Sequence, residues 1–505
     1  MTLGVFVVLA VAVYNFGTAV FVYYNSHFRE EDLDAMWLAR VLPFTSFIVE
    51  PIDEHFAPLH RLIAYVLDAI APMNFGLALA ALCGFQAIGL IYLYRILRLI
   101  ECYRVDREHI SRATKPDNGS ISKSRFLLSS PISWLLFGLC GSYVYVGVLF
   151  LWWTAGLHRL PLFACEMIAI YYFLRYRQAR GWASLAICSV AVVAGFGFFT
   201  KAVLVPIYLL ALELCFWSSA DNRERRKNLA FVASLVGMSL FYVAAWKLLQ
   251  PQYRQEIQID PAFQLGLIER SWGMLRDSAA GSIYNETRGF SLPVLATTAA
   301  WVTMVAYTVA KRRSNTLVWC GLSMLLLLNV LLTGLSKLRI ELFGFALATL
   351  LHRYYYELAV LVVIGAAIAF KRARVERHAI SPVPPSATSN AKARWQTLVT
   401  ISILAGVMLN SYKNSTDLMA DYYGKHRKTR EFMLRLQADA RRILAAGQRP
   451  LRIIDEPLPE AAGTKGARKA SFLFEVLDFE VEPAAPGPGV YRISESGSLI
   501  SSEGG

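Results

Sequence analysis

Long apolar runs separated by short polar segments dominate this chain. Most of the runs hold about 17 to 25 residues, enough for a helix to cross a bilayer, so they predict about eleven membrane-spanning helices. The predicted spans cover residues 3–24, 75–97, 130–152, 160–175, 182–199, 202–217, 229–247, 291–310, 316–334, 355–370 and 395–411. No basic stretch precedes the first run and no small-residue cleavage site follows it, so we expect a retained anchor rather than a signal peptide.

Two shorter patterns lie between the first two spans. Leu33, Met36, Trp37, Arg40 and Val41 recur at helical spacing, which predicts an amphipathic helix on the membrane surface. A second apolar stripe runs from Pro58 to Ile70. Because proline favours the first turn of a helix, this stretch predicts a second interfacial helix, which is too short to span.

The basic residues indicate the orientation of the spans. Lys and Arg cluster in the loops after spans two, four, six, eight and ten, which the positive-inside rule makes cytoplasmic. The other face then carries the first outer loop (residues 25–74), the turns at 153–159 and 200–202, and a second outer loop at 248–290. The tail begins with basic residues that favour the inside, but long translocated segments often escape this rule, so we expect the tail outside.

The last part of the chain has a different character. We predict a membrane domain at 1–411 and a soluble extracytoplasmic module at 412–505. Within the module the pattern predicts a helix at 429–446 and strands at 451–454, 471–481 and 490–493, hence a small α/β fold. Residues 496–505 are expected to be loose.

Composition agrees with this fold class, an all-α polytopic membrane protein with a small α/β module. The 505 residues are 55% hydrophobic and 17% charged, well below the roughly 25% of a globular protein. The net charge of +14 could suggest nucleic-acid binding, but the cations lie in short loops that meet anionic lipid, so no nucleic-acid partner is expected. The seven cysteines show no metal-ligand spacing and favour neither disulfides nor a zinc site.

The first outer loop concentrates candidate chemistry. Seven acidic residues fall between Glu30 and Glu54. A carboxylate such as Asp32 or Glu31 could act as general base towards an acceptor hydroxyl, with a lipid phosphate as leaving group. Cations at the outer ends of other spans, Lys201, Arg159 and Arg353, could bind that phosphate.

Each candidate has a simpler interpretation. The acidic cluster could be the solvated face of an interfacial helix, and the arginines could be interfacial anchors. Lys201 is the most suggestive cation, since its apolar neighbours would make it costly without an anion or a water-filled cavity. Asp53, Glu54 and His55 are weak candidates for a divalent metal, and no other cofactor is indicated. Four further residues are expected to support the loop or the acceptor: Asp34, His55, His60 and Arg61.

Three motifs resemble a known family. Phe28-Arg29-Glu30-Glu31-Asp32 resembles the acidic motif of the GT-C superfamily of polyprenyl-phosphate-dependent glycosyltransferases, which includes protein mannosyltransferases and aminoarabinose transferases. The segment from His55 to Leu62 is similar to the histidine-proline segment of bacterial members. Phe199-Thr200-Lys201-Ala202, followed by Pro206, resembles a lysine-containing turn of the family. The likeness covers about residues 1–220.

The resemblance implies an activity. Asp32 or Glu31 would activate the acceptor, while Lys201 and one arginine would contact the lipid phosphate. Where many members show Asp-Asp or Asp-Glu, this chain has Glu-Glu-Asp-Leu-Asp, so the choice of base stays open. The partners implied are a polyprenyl-phosphate-linked hexose or pentose, the bilayer, and a glycan, lipid or protein acceptor. The expected location is a bacterial inner membrane with the site facing the periplasm, and the expected transfer is inverting.

Three rival functions remain at this point. A polysaccharide polymerase or ligase of the O-antigen type would centre on Arg254, Arg270 and Arg276 in the second outer loop. A lipid or glycan transporter would need ionisable residues at mid-membrane and paired halves; we expect few buried charges and see no paired halves, which disfavours it. A non-catalytic scaffold would tolerate loss of every outer charge.

Overall fold

A bundle of long helices carries a small mixed module at its C-terminal end. The structure is a computed structural model, which describes residues 3–51, 55–102, 130–216, 222–249, 259–284, 291–333, 341, 356–380, 388–464 and 468–502. The elements up to the third predicted span are α1 (Leu3–Asn25), α2 (Glu31–Val41), α3 (Phe44–Val49), α4 (Pro58–Ile70), α5 (Phe75–Cys102), α6 (Pro131–Gly141) and α7 (Val146–Leu151). The helices predicted at these two positions are thus confirmed as α2 and α4, and their place at the membrane interface stays a prediction.

The middle of the chain continues as helices. They are α8 (Trp153–Ala179), α9 (Trp182–Phe198), a 3-10 turn (Thr200–Leu204), α10 (Val205–Ala211), a π turn (Leu212–Phe216), α11 (Asn222–Leu249), α12 (Pro261–Ala279), α13 (Leu292–Lys311), α14 (Asn315–Thr333), α15 (Tyr356–Ile380) and α16 (Thr388–Ala445). Helix α8 is central, since it packs along both α5 and α9 and its buried residues run nearly its whole length.

Among the described residues, seven helical segments are long and apolar enough to cross a membrane. They are Leu3–Asn25, Phe75–Cys102, Pro131–Leu151, Trp153–Ala179, Asn222–Leu248, Leu292–Lys311 and Asn315–Leu332. The other predicted spans correspond to α9, to the 200–216 stretch and to parts of α15 and α16. The polytopic all-α fold class with a small α/β module is confirmed.

Several local predictions need correction. The turn expected at 153–159 is the start of α8, where the backbone N–H of Thr154 donates to Asp32 and the side chain of Arg159 donates to Glu357. The third span is interrupted between α6 and α7. The second outer loop contains α12, whose first turn is capped by Asp260 through the backbone N–H groups of Ala262 and Phe263. Helix α16 is continuous across residue 411, and the division into 1–411 and 412–505 stays a prediction.

The C-terminal module is built on a four-stranded sheet. Its elements are β1 (Leu451–Ile453), α17 (Ala470–Val476), β2 (Val481–Pro483), β3 (Val490–Ile493) and β4 (Leu499–Ser501). The strand order is β2-β1-β3-β4, with β1 parallel to both neighbours and β4 antiparallel to β3. The strand predicted at 471–481 is wrong for most of its length, since α17 occupies it. The loose end predicted at 496–505 is also wrong for β4.

Candidate active site

The site begins with Asp32 in the first turn of α2. Its side chain is buried, with a relative exposure of 2%. Its Oδ1 accepts the backbone N–H of Thr154 at 2.9 Å, and its Oδ2 accepts the backbone N–H of Arg29 at 3.3 Å. Asp32 therefore connects the acidic loop to the first turn of α8, 122 residues further along the chain.

Burial has a chemical consequence for Asp32. Removal from water disfavours the charged carboxylate and raises its pKa to about 7, although the N–H groups of Thr154 and Arg29 act in the opposite direction. A carboxyl group with a pKa near the working pH can both take up and release a proton, as a general base requires. The neighbouring Glu31 is only half-buried.

Three histidines lie together near the first turns of α8. His60 Nε2 lies 3.3 Å from the carbonyl oxygen of Thr154, so Nε2 carries the proton and donates it. The ring centroid of His158 lies 4.2 Å from that of His60, with the rings tilted by 40°, and 5.7 Å from that of His55. His55 Nδ1 is also 2.7 Å from Thr200 Oγ1. Burial lowers the pKa of His60 to about 3, which keeps its ring neutral at pH 7.

A buried cluster of charged side chains lies further along α8, at Arg159. Arg159 Nη1 donates to Glu357 Oε1 at 3.2 Å, and Lys201 Nζ donates to Glu357 Oε2 at 2.5 Å. The side chains of Arg159 and Glu357 are 3% and 2% exposed, and that of Lys201 is 11% exposed. The guanidinium group of Arg159 also lies 3.8 Å from the centre of the Phe199 ring. Lys201 and Arg159, predicted from separate spans, thus meet on one carboxylate.

The remaining candidates divide into structural contacts and undescribed positions. Asp34 pairs with Arg468 of the C-terminal module at 2.7 Å. Arg61 donates to the carbonyl oxygens of Glu50 and Pro51, which makes it a loop support. The metal candidates Asp53 and Glu54 and the phosphate candidate Arg353 lie outside the described residues. Within the described residues, no group of three or more His, Cys, Asp or Glu side chains is arranged to hold a metal ion.

The sequence pattern missed several buried polar residues. Glu357 follows a run of tyrosines that resembled an interfacial belt, and Glu166 lies within an apolar run. An acidic residue within an apolar run is itself an indication of function, and this indication was present in the sequence. A second buried pair, Arg177 with Glu213 at 3.2 Å, lies near the other end of α8. The expectation of few buried charges was therefore wrong.

The C-terminal module covers the outer side of α2. Trp37 Nε1 donates to Glu475 Oε2 at 2.7 Å, and Arg40 donates to the carbonyl oxygen of Glu475 at 2.8 Å. The backbone N–H of Glu30 donates to the carbonyl oxygen of Gly463 at 2.6 Å. Since Asp32 lies on the inner side of the same helix, the module encloses the acidic turn from outside.

These features define a polytopic helical membrane protein with a buried carboxylate and an ion cluster beneath an α/β module. No family model matches the chain, and no curated protein matches it. Among solved structures, ArnT from Cupriavidus metallidurans bound to undecaprenyl phosphate is similar, with 10% identity, a TM-score of 0.49, and coverage of 96% of this chain and 86% of ArnT. ArnT from the same organism in the apo state gives 11% identity, a TM-score of 0.47, and coverage of 95% and 85%.

Proposed function

We propose that this protein is a polyprenyl-phosphate-dependent glycosyltransferase of the GT-C type, acting on the extracytoplasmic side of a bacterial inner membrane. The observation that carries the proposal is the arrangement of one base and two cations along α8. Asp32 binds the backbone of Thr154, while Arg159 and Lys201 meet five residues further along. At about 1.5 Å per residue, Thr154 and Arg159 are about 7.5 Å apart along the helix axis, and we place the reacting sugar carbon beside this interval.

The reaction follows from these positions. Asp32 takes the proton of the acceptor hydroxyl as its oxygen attacks the anomeric carbon of the donor sugar. The bond from that carbon to the phosphate oxygen breaks, and the lipid phosphate leaves with the electron pair. Arg159 and Lys201 stabilise the negative charge on the departing phosphate. Attack from the side opposite the phosphate inverts the configuration at the anomeric carbon.

Glu357 sets a condition on donor binding. Its two carboxylate oxygens accept from Arg159 and Lys201. A donor phosphate that approaches these cations must share them with this carboxylate or displace it. The Glu357 carboxylate would also favour release of the product phosphate, because it can form its ion pairs with Arg159 and Lys201 again. Glu357 therefore acts as an internal anion at the proposed phosphate site.

A transfer assay tests the proposal and separates it from the polymerase or ligase alternative. Purified protein in liposomes is supplied with radiolabelled sugar on polyprenyl phosphate and with lipid, glycan or peptide acceptors. We expect transfer by wild type and by Arg270→Ala, because Arg270 lies on α12 and has no part in the proposed reaction. Loss of transfer in Arg270→Ala alone would favour the alternative. No transfer from any lipid-linked donor would overturn the proposal.

An apolar cavity supports a lipid-linked substrate. Its volume is about 550 Å³, and it lies between α6, α12, α13, α14 and α15. Ala359, Val362 and Val363 line it, and at 3.6 residues per turn these positions lie on the face of α15 opposite Glu357. Arg276, paired with Asp277 at 2.7 Å, and Trp272 lie at its α12 side. A single hydrocarbon chain fits this lining, whose walls are almost entirely apolar.

Filling this cavity should reduce the affinity for long-chain lipids more than the affinity for short-chain lipids. Ala359→Trp is expected to weaken binding of a long-chain polyprenyl phosphate by about tenfold while leaving a short-chain analogue unchanged, because only the long chain needs the space. Ala300→Trp, on the exposed face of α13, serves as the matched control. Affinity can be measured by fluorescence titration in detergent. Equal weakening of both lipids would place the chain elsewhere.

A further inference from the structure

Glu30, directly before α2, has a backbone conformation that residues with side chains rarely adopt. Its φ and ψ are 46° and −113°, and the backbone N–H of Asp32 donates to the carbonyl oxygen of Arg29 at 2.8 Å. These features define a type II′ turn from Arg29 to Asp32 with Glu30 at its first central position, where glycine is the usual residue. A glutamate there is strained, and such strain persists only where the surrounding structure holds it.

The turn orients the proposed base. Asp32 Oδ2 accepts the backbone N–H of Arg29 within the turn at 3.3 Å, and Asp32 Oδ1 accepts the backbone N–H of Thr154 on α8 at 2.9 Å. If Glu30 relaxed to a negative φ, the chain between Arg29 and Asp32 would change direction. Asp32 would then move relative to both N–H groups, so the strained turn and the position of the carboxyl group depend on each other.

The C-terminal module contacts the strained residue. The backbone N–H of Glu30 takes no part in the turn itself and donates to the carbonyl oxygen of Gly463 at 2.6 Å. Gly463 follows the 3-10 turn Glu460–Ala462 and has a φ of 68°. A Cβ on Gly463 would lie 2.7 Å from Arg29 Nε and 2.7 Å from Thr429 Oγ1 of α16. Both its φ and its close neighbours therefore favour glycine at this position.

We propose that Gly463 is a positioning residue for the base: by binding the N–H of Glu30, it keeps the turn in the conformation that presents Asp32 to α8. This inference rests on the proposed function and deepens it, because it gives the C-terminal module a part in the acceptor half of the reaction. Gly463 touches no reacting atom and acts on Asp32 through Glu30. Docking of the module on α2 thus supports the strained turn as well as covering it.

Substitution of Gly463 tests this role. Transfer is measured for the full chain in liposomes at saturating donor. Gly463→Ala should lower kcat about tenfold, because the methyl group displaces the carbonyl oxygen from Glu30 and the turn relaxes. Binding of sugar-free polyprenyl phosphate should stay within about twofold of wild type, since the cations at Glu357 are unchanged.

Gly489→Ala is the matched control. Gly489 lies in the same module and also has a φ of 68°, but a Cβ on it would meet no atom of the described residues within 4 Å. The substitution strains the module in the same way without contact to the acidic turn. It should keep at least about a third of the wild-type rate.

The pH profile separates positioning from a loss of folded protein. Burial raises the pKa of Asp32 to about 7. A relaxed turn exposes this carboxyl group to water, which brings its pKa back towards the ordinary value of about 4. In Gly463→Ala, the rise of the rate with pH should therefore move to lower pH by at least about one pH unit. A variant that merely contains less folded protein keeps the rise at about 7.

Substitutions at Glu30 test the same turn without touching the module. All three variants Glu30→Gly, Glu30→Ala and Glu30→Val lack the carboxylate, so they differ mainly in how well they tolerate a positive φ. The value of kcat should fall in that order, with Glu30→Val about tenfold below Glu30→Gly, because a β-branched residue tolerates this conformation least. In Glu30→Gly the turn is unstrained, so adding Gly463→Ala should cost less than about threefold.

Several results would overturn the positioning role. They are an equal kcat across the Glu30 series, an unchanged pH profile in Gly463→Ala, an equal loss in Gly489→Ala, and a Gly463→Ala defect that Glu30→Gly does not reduce. If Gly463→Ala does not fold, the Glu30 series decides alone. With transfer by wild type, these results defeat only this inference. If wild type transfers no sugar from any lipid-linked donor, the proposed function fails, and this inference fails with it.

Discussion

Asp32→Asn is expected to lower the transfer rate by about 10²- to 10⁴-fold, the usual contribution of a general base. The amide keeps the size of the carboxyl group and can still accept the backbone N–H of Thr154, but it cannot take the acceptor proton. Donor affinity should change little, because Asp32 lies on the acceptor side of the sugar in the proposed mechanism. The measurement is the initial rate of sugar transfer at saturating donor, with donor binding measured separately.

The pH dependence gives a second signature of Asp32. A base must be deprotonated to act, and burial places the pKa of this carboxyl group at about 7. The wild-type rate should therefore rise with pH through about 7, level off above about 8, and fall about tenfold per pH unit below about 6. The residual activity of Asp32→Asn should lack this step.

Glu31→Gln provides the matched control for the choice of base. Glu31 precedes Asp32 but is only half-buried, whereas Asp32 reaches the backbone of α8. We expect Glu31→Gln to keep at least about a third of the wild-type rate, within the scatter of a surface substitution. A full loss in Glu31→Gln with an active Asp32→Asn would assign the base to Glu31.

Lys201→Ala is expected to lower kcat/KM by about 10²- to 10³-fold, the effect of removing one pre-positioned charged donor from a buried transition state. Lys201 lies in the 3-10 turn after α9 and contacts Glu357, so its loss removes one of two cations from the proposed phosphate site. Binding of polyprenyl phosphate should weaken as well, since the product carries the same phosphate. Lys425→Ala, at a side chain that is 72% exposed, serves as control.

A double variant separates charge from folding. Lys201→Ala leaves the buried Glu357 with Arg159, and removal of one partner from a buried ion pair is strongly destabilising. Adding Glu357→Gln should restore thermal stability, because the excess negative charge is removed. Transfer should stay low, since the cation is still missing. Recovery of transfer in the double variant would show that Lys201 serves only to neutralise Glu357.

The site residues that could be predicted are those whose immediate sequence neighbours point to a function. Asp32 follows from an acidic motif within five residues, and Lys201 from the cost of a cation among apolar neighbours. That Asp32 binds Thr154 of α8, and that Lys201 shares Glu357 with Arg159 of α8, was not predictable, because residues 153–159 are polar enough to resemble a turn. Only the tertiary partners of Thr154 and Arg159 make this segment helical and buried.

In the C-terminal module, local sequence also fails to predict one element of secondary structure. Residues 471–481 are rich in Phe, Leu and Val, which favours a strand when only neighbours are considered. The structure forms α17 there, and the backbone N–H of Ser471 at its start donates to Asp455 Oδ1 at 2.9 Å. Asp455 lies 16 residues earlier, so this stabilisation of the helix start is invisible to local pattern.

The unbroken α16 has a mechanical consequence. Its 58 residues make a continuous helix of about 87 Å, longer than the bilayer is thick, from the span predicted at 395–411 to the module. Inserting one residue would rotate everything beyond it by about 100° and swing Arg468 and Glu475 away from α2. Inserting seven would nearly restore the rotation but raise the module by about 10 Å. The rotational register of α16 therefore determines whether the C-terminal module can contact α2.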